Sequence, residues 1–583
     1  MQRFTTVLRK IRKSLHSSCL LVSIWGINLV PSVDNPLNKD HYILPMDLPV
    51  SLSGNFGELR RNHFHGGLDF RTESRTGIPI KAIADGYVSR ISISLYGGGN
   101  TLFLTHPNGL TSVYMHLDRF PPQLTALIEE TQLKCETWSI DYNFAPSVFP
   151  VKQGDLVAYS GNTGASGGPH LHFELVDYKT GYRINPLLVY GEQVKDTKPP
   201  IIQGIMLYEP GDHFYDNETK RKAYGAVGGN GKYRIQTPVS SWGKIGLGIK
   251  AIDIKDDVHF KYGVRDINLY VDSSLVYSSR LDSIDSNNGR LFNFFIDYPQ
   301  WKKNGVFYVK SFADQGADIH AYRNLSSDRG YFMIDEERPY QIKYELSDFN
   351  GNTSVLEFKI QGKKSANIPA VKENYLPAAP LLKCNEDAIF EDHGIRINYP
   401  KGVLPEDLKP AIKRTDSTQF YSSIYAIQSE NIPMNGFAEI SIQLKGYSLF
   451  NPDKFYIGKV LNNNKLSPLI SRHENGWIKA SFREFGSYAI DIDTIMPRIN
   501  PLNENKWGAL GRISLSISDT GAGIKSYKGY IDGKFVLFVP TKGSSIHYRL
   551  NRRDIQKGKK HKLEMIVIDN CGNEKRYIKE FYW

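Results

Sequence analysis

The sequence predicts an all-β protein built from several domains. With 583 residues the chain is too long for a single core, and roughly three to five domains are expected. Its 34 tyrosines and 29 phenylalanines, against 8 methionines and 7 tryptophans, suit pleated sheet surfaces. Over residues 46–191, short apolar runs alternate with glycine-rich turns, which is typical of antiparallel strands. We therefore predict a small antiparallel β domain followed by three β-sandwich-like domains.

The N-terminal segment predicts export. Five cations, at positions 3, 9, 10, 12 and 13, precede an apolar run from Cys19 to Val30. This pattern is typical of a secretory signal peptide, here residues 1–32, and the run is short for a membrane span of about 20 residues. We expect the periplasm or cell envelope, with a membrane anchor if the signal stays uncleaved. Its removal lowers the formal net charge from +11 to +6, which is too mild to indicate nucleic-acid binding.

The first domain is expected over residues 33–195, and the paired prolines at 199–200 mark the boundary that follows it. Within it, the segment 121–150 interrupts the strand pattern and indicates an insertion. Leu124, Leu127 and Ile128 in that insertion have helical spacing after two prolines, so a short helix is predicted there.

An internal repeat organises the rest of the chain. Asp-Thr near a proline, an aspartate before Gly-Val or Gly-Ile, and the element Asp-x-x-Gly-Asn occur in the same order twice. We predict two related immunoglobulin-like β-sandwiches, copy 1 at 196–364 and copy 2 at 493–583. Copy 1 is longer through an insertion around residues 287–301. Between the copies, residues 365–492 indicate a β-rich domain whose role the sequence does not show.

The Asp-x-x-Gly-Asn element, at 348–352 and 569–573, has two interpretations. Aspartate and asparagine bond to their own backbone in turns, and glycine supplies a positive φ, so a turn is the preferred interpretation. The element also looks like part of a calcium loop. We favour the turn because the segment itself lacks the further carboxylates that calcium requires.

Histidines concentrate in the first domain, where six of the fifteen fall between residues 63 and 172. His170 and His172 are two apart in an apparent strand, and therefore share one face. His65 and Asp69 form an H-x-x-x-D pattern, and His116 ends the run "SVYMHL". A catalytic zinc takes three ligands from histidine and carboxylate and leaves a fourth position for water. Two imidazoles and one carboxylate supply such a set, although each motif alone also suits ordinary structural residues.

Three segments together carry a family resemblance: "GNFGELRRNHFHGGLDF", "SVYMHL" and "AYSGNTGASGGPHLHFEL". Over roughly residues 50–190, the chain resembles the lysostaphin/LytM-type zinc metallopeptidases, the glycyl-glycine endopeptidase family. The resemblance implies a small antiparallel β domain of the duplicated hybrid motif type and one zinc ion per chain. It also implies hydrolysis of peptide cross-links in bacterial peptidoglycan.

Carried over motif by motif, the resemblance makes His65, Asp69 and His172 the zinc ligands. His170 is then the general base on the water that zinc activates, and His116 donates to the oxyanion. The insertion at 121–150 is longer than in compact family members, which puts substrate choice and access in doubt.

Two neighbouring residues keep alternative interpretations. Glu174 either orients a ligand imidazole or lies on a solvated strand face, and Tyr114 either lines the groove or packs in the core.

The predicted function is an exported zinc metalloendopeptidase acting on peptidoglycan peptides. The alternative is a non-catalytic envelope scaffold, or an activator of another hydrolase, on the same fold. A third idea, an adhesin, explains the sandwiches but not the ligand set. The sandwiches are expected to position the catalytic domain or to bind wall components or envelope protein partners.

Overall fold

A computed structural model describes residues 37, 39–211, 214–215, 219–256, 258–286, 289–364, 381–444, 451–551 and 555–583. The predicted signal peptide, residues 1–32, lies outside the described residues. In the described part of the chain, none of the helices is long and apolar enough to cross a membrane. Strands account for 47% of the structure and helices for 9%, so the predicted all-β class is confirmed.

The first region, up to about residue 195, centres on one large antiparallel sheet, with two small two-stranded sheets beside it. The strands of the region are Leu52–Gly54, Leu59–Arg60, His63–Phe64, Leu68–Arg71, Pro79–Lys81, Gly86–Ile93, Asn100–Thr105, Leu110–Met115, Ile140–Asn143, Pro150–Val151, Leu156–Tyr159, His170–Asp177 and Tyr182–Ile184. Its helical segments are Lys39–His41, Pro122–Cys135, Leu187–Tyr190 and Gly191–Gln193. In the sheet, His170–Asp177 lies between Leu68–Arg71 and Leu110–Met115.

Strand register brings the motif residues together. His172 lies opposite Asp69 on one neighbouring strand and opposite Met115 on the other. His116 follows Met115 directly, at the point where the chain leaves the sheet with a φ of 62°. Because a one-residue slip would turn every side chain to the other face, this register is what places the motifs on one surface.

The insertion contains the helix that its spacing predicts. The helix Pro122–Cys135 begins after Pro121 and buries Leu124 and Ile128. Proline suits the first turn of a helix because the amide it lacks would have no partner there. The helix ends at Glu136, whose φ of 47° stops further winding.

Copy 1 contains one 12-stranded sheet, and the predicted sandwich stays a prediction. Its strands are Ile201–Glu209, Lys220–Gly229, Lys232–Ile235, Val239–Ser241, Gly243–Ile252, Asp266–Val271, Ser274–Arg280, Ser283–Asp285, Val309–Lys310, Tyr322–Leu325, Phe332–Ile334, Pro339–Ser347 and Thr353–Gly362. Its helical segments are Gly289–Leu291, Phe292–Phe295 and Tyr298–Asn304.

Copy 1 also packs tightly against the first region. Ser283–Asp285 pairs with Tyr182–Ile184 of the first region, so one sheet runs across both. Phe64, the residue before His65, packs edge-on against Phe292 and Phe295 of the copy 1 insertion, with ring centroids 5.1 and 5.3 Å apart. The insertion thus supports the strand that leads into the first candidate ligand.

Two further β regions complete the chain. The middle region has the strands Ala388–Asp392, Ile395–Tyr399, Ile412–Thr415, Ile424–Ile427, Ala438–Gln443, Phe455–Val460, Leu466–Pro468, Ser471–Glu474, Trp477–Phe482 and Gly486–Ile492, and the short helix Pro452–Lys454. Copy 2 has the strands Arg498–Leu502, Arg512–Ser518, Ile524–Ile531, Lys534–Val536, Val539–Pro540, Ser545–Arg549, Lys560–Asp569 and Glu574–Tyr582, and the helical segments Glu504–Lys506 and Trp507–Leu510. The middle region has two five-stranded sheets and copy 2 has two four-stranded sheets.

Candidate metal centre and active site

The structure brings the three predicted ligands into contact. Asp69 Oδ1 lies 3.0 Å from His65 Nε2 and 2.8 Å from His172 Nδ1, and the two nitrogens are 2.9 Å apart. All three side chains are buried. In a tetrahedral zinc site with bonds of roughly 2.0–2.1 Å, ligand atoms are about 3.3 Å apart, so a small outward movement admits the ion.

Hydrogen bonds on the far side of each ring orient the two imidazoles. His65 Nδ1 donates to the carbonyl of Asn55 over 2.6 Å, which leaves Nε2 as a bare lone pair. His172 Nε2 donates to Glu174 Oε1 over 3.0 Å, so Nδ1 is the atom directed at Asp69. Outer partners of this kind fix the tautomer and orientation of metal-ligating histidines.

The arrangement requires positive charge among its three facing atoms. Burial lowers the pKa of His65 to about 4, so its Nε2 lone pair faces the carboxylate of Asp69. Burial also lowers the pKa of His172, but hydrogen bonds to Asp69 and Glu174 outweigh it and raise this pKa to about 9. A proton on His172 Nδ1 therefore faces the carboxylate of Asp69 and the lone pair of His65. A divalent cation that displaces this proton satisfies the same three atoms, so the donor set fits zinc.

Asp69 pairs with an arginine that the sequence motifs did not single out. Arg60 Nη2 donates to Asp69 Oδ2 over 2.5 Å, which leaves Oδ1 for the imidazoles. Burial opposes ionisation, but the neighbouring imidazoles keep the pKa of Asp69 well below its ordinary value. Arg60 lies on the hairpin strand Leu59–Arg60, which pairs with His63–Phe64.

Glu174 orients His172, which is the first of its two interpretations. It is buried, and its second oxygen accepts a hydrogen bond from Arg183 Nε over 2.8 Å. Burial raises the pKa of Glu174, but Arg183 and His172 outweigh it and lower the pKa to about 2. Tyr114, by contrast, is fully buried and hydrogen-bonded to Ser112, so it belongs to the core.

Two further imidazoles lie beside the three ligands. His170 Nδ1 donates to the carbonyl of Gly168 over 2.8 Å, and its Nε2 is 3.5 Å from Asp69 Oδ1. His116 Nδ1 donates to the carbonyl of Thr163 over 2.8 Å. The ring centroids of His116 and His170 are 4.8 Å apart. Each ring thus has its Nδ1 proton fixed by a carbonyl and presents Nε2 as a proton acceptor.

This tautomer bears on the predicted role of His116. Burial lowers the pKa of His116 to about 4, so the resting ring is neutral. A neutral His116 bonded through Nδ1 has no proton on Nε2 to donate. It becomes the predicted oxyanion donor only after taking up a proton.

Glycines allow the close backbone contacts around the site. A Cβ on Gly67 would lie 2.2 Å from the carbonyl oxygen of Phe173, so only glycine lets the His65–Asp69 segment approach that strand. Gly164 has a φ of 70°, and a Cβ there would lie 2.3 Å from the amide nitrogen of Gly99. The loop that carries Thr163 therefore packs directly against the loop that carries Gly99.

Copy 2 contacts this part of the first region. Glu136, just after the insertion helix, accepts hydrogen bonds from Lys528 Nζ at 2.7 Å and Tyr530 Oη at 3.1 Å. A cavity of about 530 Å³ lies between the first region and copy 2, lined by residues 162–164 on one side and by residues 537 and 539–542 on the other. The loop that positions His116 thus faces copy 2.

Residues 63–132 match peptidase family M23. The chain carries a peptidase M23 domain. The relatives of that domain include an uncharacterized metalloprotease of Haemophilus influenzae, 31% identical over 26% of this chain and 28% of that protein. They include the glycyl-glycine endopeptidase ALE-1 of Staphylococcus capitis, 32% identical over 19% of this chain and 24% of that protein. The peptidoglycan DD-endopeptidase ShyB of Vibrio cholerae is 32% identical over 19% of this chain and 20% of its own length. The chain thus spans about a quarter of the length of these relatives.

A second family match lies outside the M23 domain. Residues 379–493 match the Zu5-like domain, in the region that the sequence analysis left without a role. The boundaries predicted for the four domains stay predictions.

The sequence analysis named the five central residues but missed their supports. Arg60, the Asn55 carbonyl and the Thr163 carbonyl all lie inside the quoted motifs. A backbone carbonyl leaves no mark in residue identity, and Arg60 stands beside a second arginine, Arg61, from which the sequence does not distinguish it. In the structure, the pairing of Leu59–Arg60 with His63–Phe64 turns Arg60 back toward Asp69.

Proposed function

We propose that this protein is an exported zinc peptidase that hydrolyses peptide bonds of bacterial peptidoglycan. One observation carries the proposal: His65 Nε2, His172 Nδ1 and Asp69 Oδ1 face one another at 2.8 to 3.0 Å, with His116 and His170 alongside. A structural zinc site is closed by four ligands, whereas a catalytic site keeps a position open. Three protein ligands next to two imidazoles that can accept protons are typical of a catalytic zinc site.

The proton chemistry follows from the tautomers. Zinc held by these three residues supplies a Lewis acid that activates water and polarises a carbonyl. His170 Nε2 accepts a proton from the attacking water, since its Nδ1 proton is held by Gly168. The same nitrogen then returns a proton to the leaving amine. His116, once protonated, donates to the oxygen on which negative charge develops.

The substrate class rests on the relatives. Two of them are named for glycyl-glycine and for peptidoglycan DD-endopeptidase activity. Both glycyl-glycine bonds and DD cross-links are retained as candidate substrates of this chain, because the insertion and copy 2 alter the surroundings of the site.

The test is digestion of purified peptidoglycan, with zinc content measured on the same preparations. Full-length wild type and His170→Ala are compared, and released muropeptides are identified by mass spectrometry. We expect one zinc per chain in both, and new amine termini only with wild type. Stoichiometric zinc without cleavage of either a glycine-bridged or a directly cross-linked wall would contradict the proposal.

One observation separates a restricted peptidase from the scaffold alternative. Copy 2 faces the loop of residues 162–164, so it is placed to restrict access to the site. The variant pair Lys528→Ala and Tyr530→Phe removes the two donors to Glu136 without touching the site. Increased cleavage by the double variant would show restriction by copy 2. Unchanged absence of cleavage in both proteins would favour the scaffold.

A further inference from the structure

The recurring aspartates of the two sandwiches converge in space. In copy 1, carboxylate oxygens of Asp196, Asp253 and Asp348 lie within 4.8 Å of one another. In copy 2, those of Asp493, Asp519 and Asp569 do the same. Each set takes one aspartate from each of the three recurring elements.

The preferred interpretation of Asp-x-x-Gly-Asn as a turn is confirmed, since Asp569 Oδ1 accepts from the amide of Asn573 over 2.8 Å. The further carboxylates that calcium requires are absent from the element itself. In the fold they come from segments roughly 50 and 75 residues earlier in copy 2, which local spacing does not reveal.

Copy 1 contains its own cation. Lys255 is buried, and its Nζ lies 2.5 Å from Asp196 Oδ2 and 3.5 Å from Asp253 Oδ2. A lysine is almost never buried without a charged partner. Here its ammonium contacts two of the three aspartates, which shows that this arrangement accommodates a positive ion.

Copy 2 has no such side chain. Lys255 stands two residues after Asp253, and the residue two after Asp519 is Gly521. A Cβ on Gly521 would lie 2.2 Å from Asp493 Oδ2, so no side chain fits there. Among the described residues, no lysine, arginine or histidine nitrogen lies within 4.0 Å of these three carboxylates. The nearby Lys454 instead bonds to Asn573 Oδ1 and to the carbonyl of Cys571.

A second feature of copy 2 is a carboxylate oxygen without a hydrogen bond. Asp519 is half-buried, and its Oδ1 is shielded from solvent and has no hydrogen-bond partner within the part of the chain that the structure describes. The corresponding Asp253 Oδ1 of copy 1 also lacks a hydrogen bond, but its carboxylate lies beside Lys255. Asp493 and Asp569 are 3% and 0% exposed. Buried carboxylates are normally paired or bound to a metal, because an uncompensated charge away from water is unfavourable.

We propose that Asp493, Asp519 and Asp569 bind one calcium ion, and that Lys255 replaces such an ion in copy 1. An all-oxygen, carboxylate-rich set favours hard cations over zinc. Calcium accepts irregular geometry and six to eight oxygens, whereas magnesium demands a near-ideal octahedron. Calcium therefore suits a site assembled from three separate loops.

The site has a structural consequence for the chain. Asp493 lies at the junction between the middle region and copy 2, and Lys454 of the middle region contacts the Asp569–Asn573 turn of copy 2. An ion there fixes copy 2 relative to the middle region. Copy 2 in turn contacts Glu136 of the M23 domain, so calcium stabilises the arrangement around the cavity.

The test measures calcium bound to the full chain by equilibrium dialysis, and its Tm by calorimetry with and without calcium chloride. Asp519→Asn removes one charge with little change of shape, and Asp253→Asn is the matched change in copy 1. We expect one calcium per wild-type chain and a rise in Tm with calcium. Asp519→Asn is expected to bind at least tenfold more weakly and to lose the rise, while Asp253→Asn keeps both. Magnesium chloride at the same concentration is expected to raise the Tm less.

Three results would overturn the proposal: no calcium bound to wild type, equal binding by Asp519→Asn, or two calcium ions per chain with one lost in Asp253→Asn. Should Asp519→Asn fail to fold, the wild-type stoichiometry decides. The outcome is independent of peptidase activity, because calcium binding is measured directly.

Discussion

Two clusters of three side chains, one in the M23 domain and one in copy 2, differ in donor atoms and in surroundings. The first joins two imidazole nitrogens to one carboxylate oxygen, and two more imidazoles stand beside it. The second offers carboxylates alone, and backbone amides of its own loops occupy most of their oxygens. Nitrogen donors and spare proton acceptors suit zinc catalysis, whereas oxygen donors tied to turns suit a structural cation.

The difference teaches that a ligand triad alone does not indicate catalysis. In the M23 domain, Asn55, Glu174 and Arg60 fix which atom of each ligand faces the centre. His170 and His116 then supply groups that move protons. The aspartate cluster has the ligands without the proton acceptors, so we assign it no chemistry.

The largest effect is expected from losing a ligand of the first cluster. His172→Ala removes the nitrogen that faces Asp69 and leaves the buried Glu174 with Arg183 as its remaining partner. We expect loss of stoichiometric zinc, measured by atomic absorption, and cleavage of peptidoglycan reduced to background. His259→Ala, a change at an exposed histidine outside the site, is the control. Zinc retention by His172→Ala would contradict the proposal that the cluster in the M23 domain, unlike the aspartate cluster, is a zinc site.

The next effect separates proton chemistry from metal binding. His116→Ala keeps all three ligands but removes one imidazole beside them. We expect zinc to be retained and the cleavage rate to fall about 10²–10³-fold, as for loss of one oxyanion donor. The measurement is initial rate on a fixed amount of peptidoglycan. A rate within threefold of wild type would remove His116 from the mechanism.

A smaller effect is expected at the orienting carboxylate. Glu174→Gln keeps the size of the side chain but loses the charge that pairs with Arg183 and His172. Zinc affinity is expected to fall about 10–100-fold, with activity restored by added zinc. Competition with a colorimetric zinc chelator measures the affinity. Unchanged affinity would show that Glu174 does not support the ligand.

The smallest effect on peptidase activity is expected from a change in the aspartate cluster of copy 2. Asp519→Asn changes the cluster in copy 2 and leaves the M23 ligands intact. We expect unchanged zinc content and a cleavage rate in the presence of zinc within about twofold of wild type, since separated sites act independently. Loss of zinc from this variant would mean that the clusters are not distinct.

Sequence patterns were informative where spacing and register coincide. His170 and His172 share a strand face, and His65 and Asp69 share a motif, so their convergence followed once the strands paired. The helix at Pro122–Cys135 was predicted for the same reason, from apolar spacing and two prolines. Local periodicity in the sequence therefore predicted local structure.

The supports and the second cluster could not be predicted, because they depend on contacts between distant segments. The Thr163 carbonyl, Arg60 and the copy 1 insertion against Phe64 act through the fold. The aspartate clusters join residues up to about 150 positions apart, and no short window contains them. The residue pattern of the middle region does not indicate a function.

The most direct test of the central claim is anomalous diffraction at the zinc absorption edge from crystals of the full chain grown with zinc. The account predicts one strong peak within about 2.0–2.2 Å of His65 Nε2, His172 Nδ1 and Asp69 Oδ1, and none at Asp493, Asp519 and Asp569. A zinc peak at the aspartates, or none at the histidines, would contradict it.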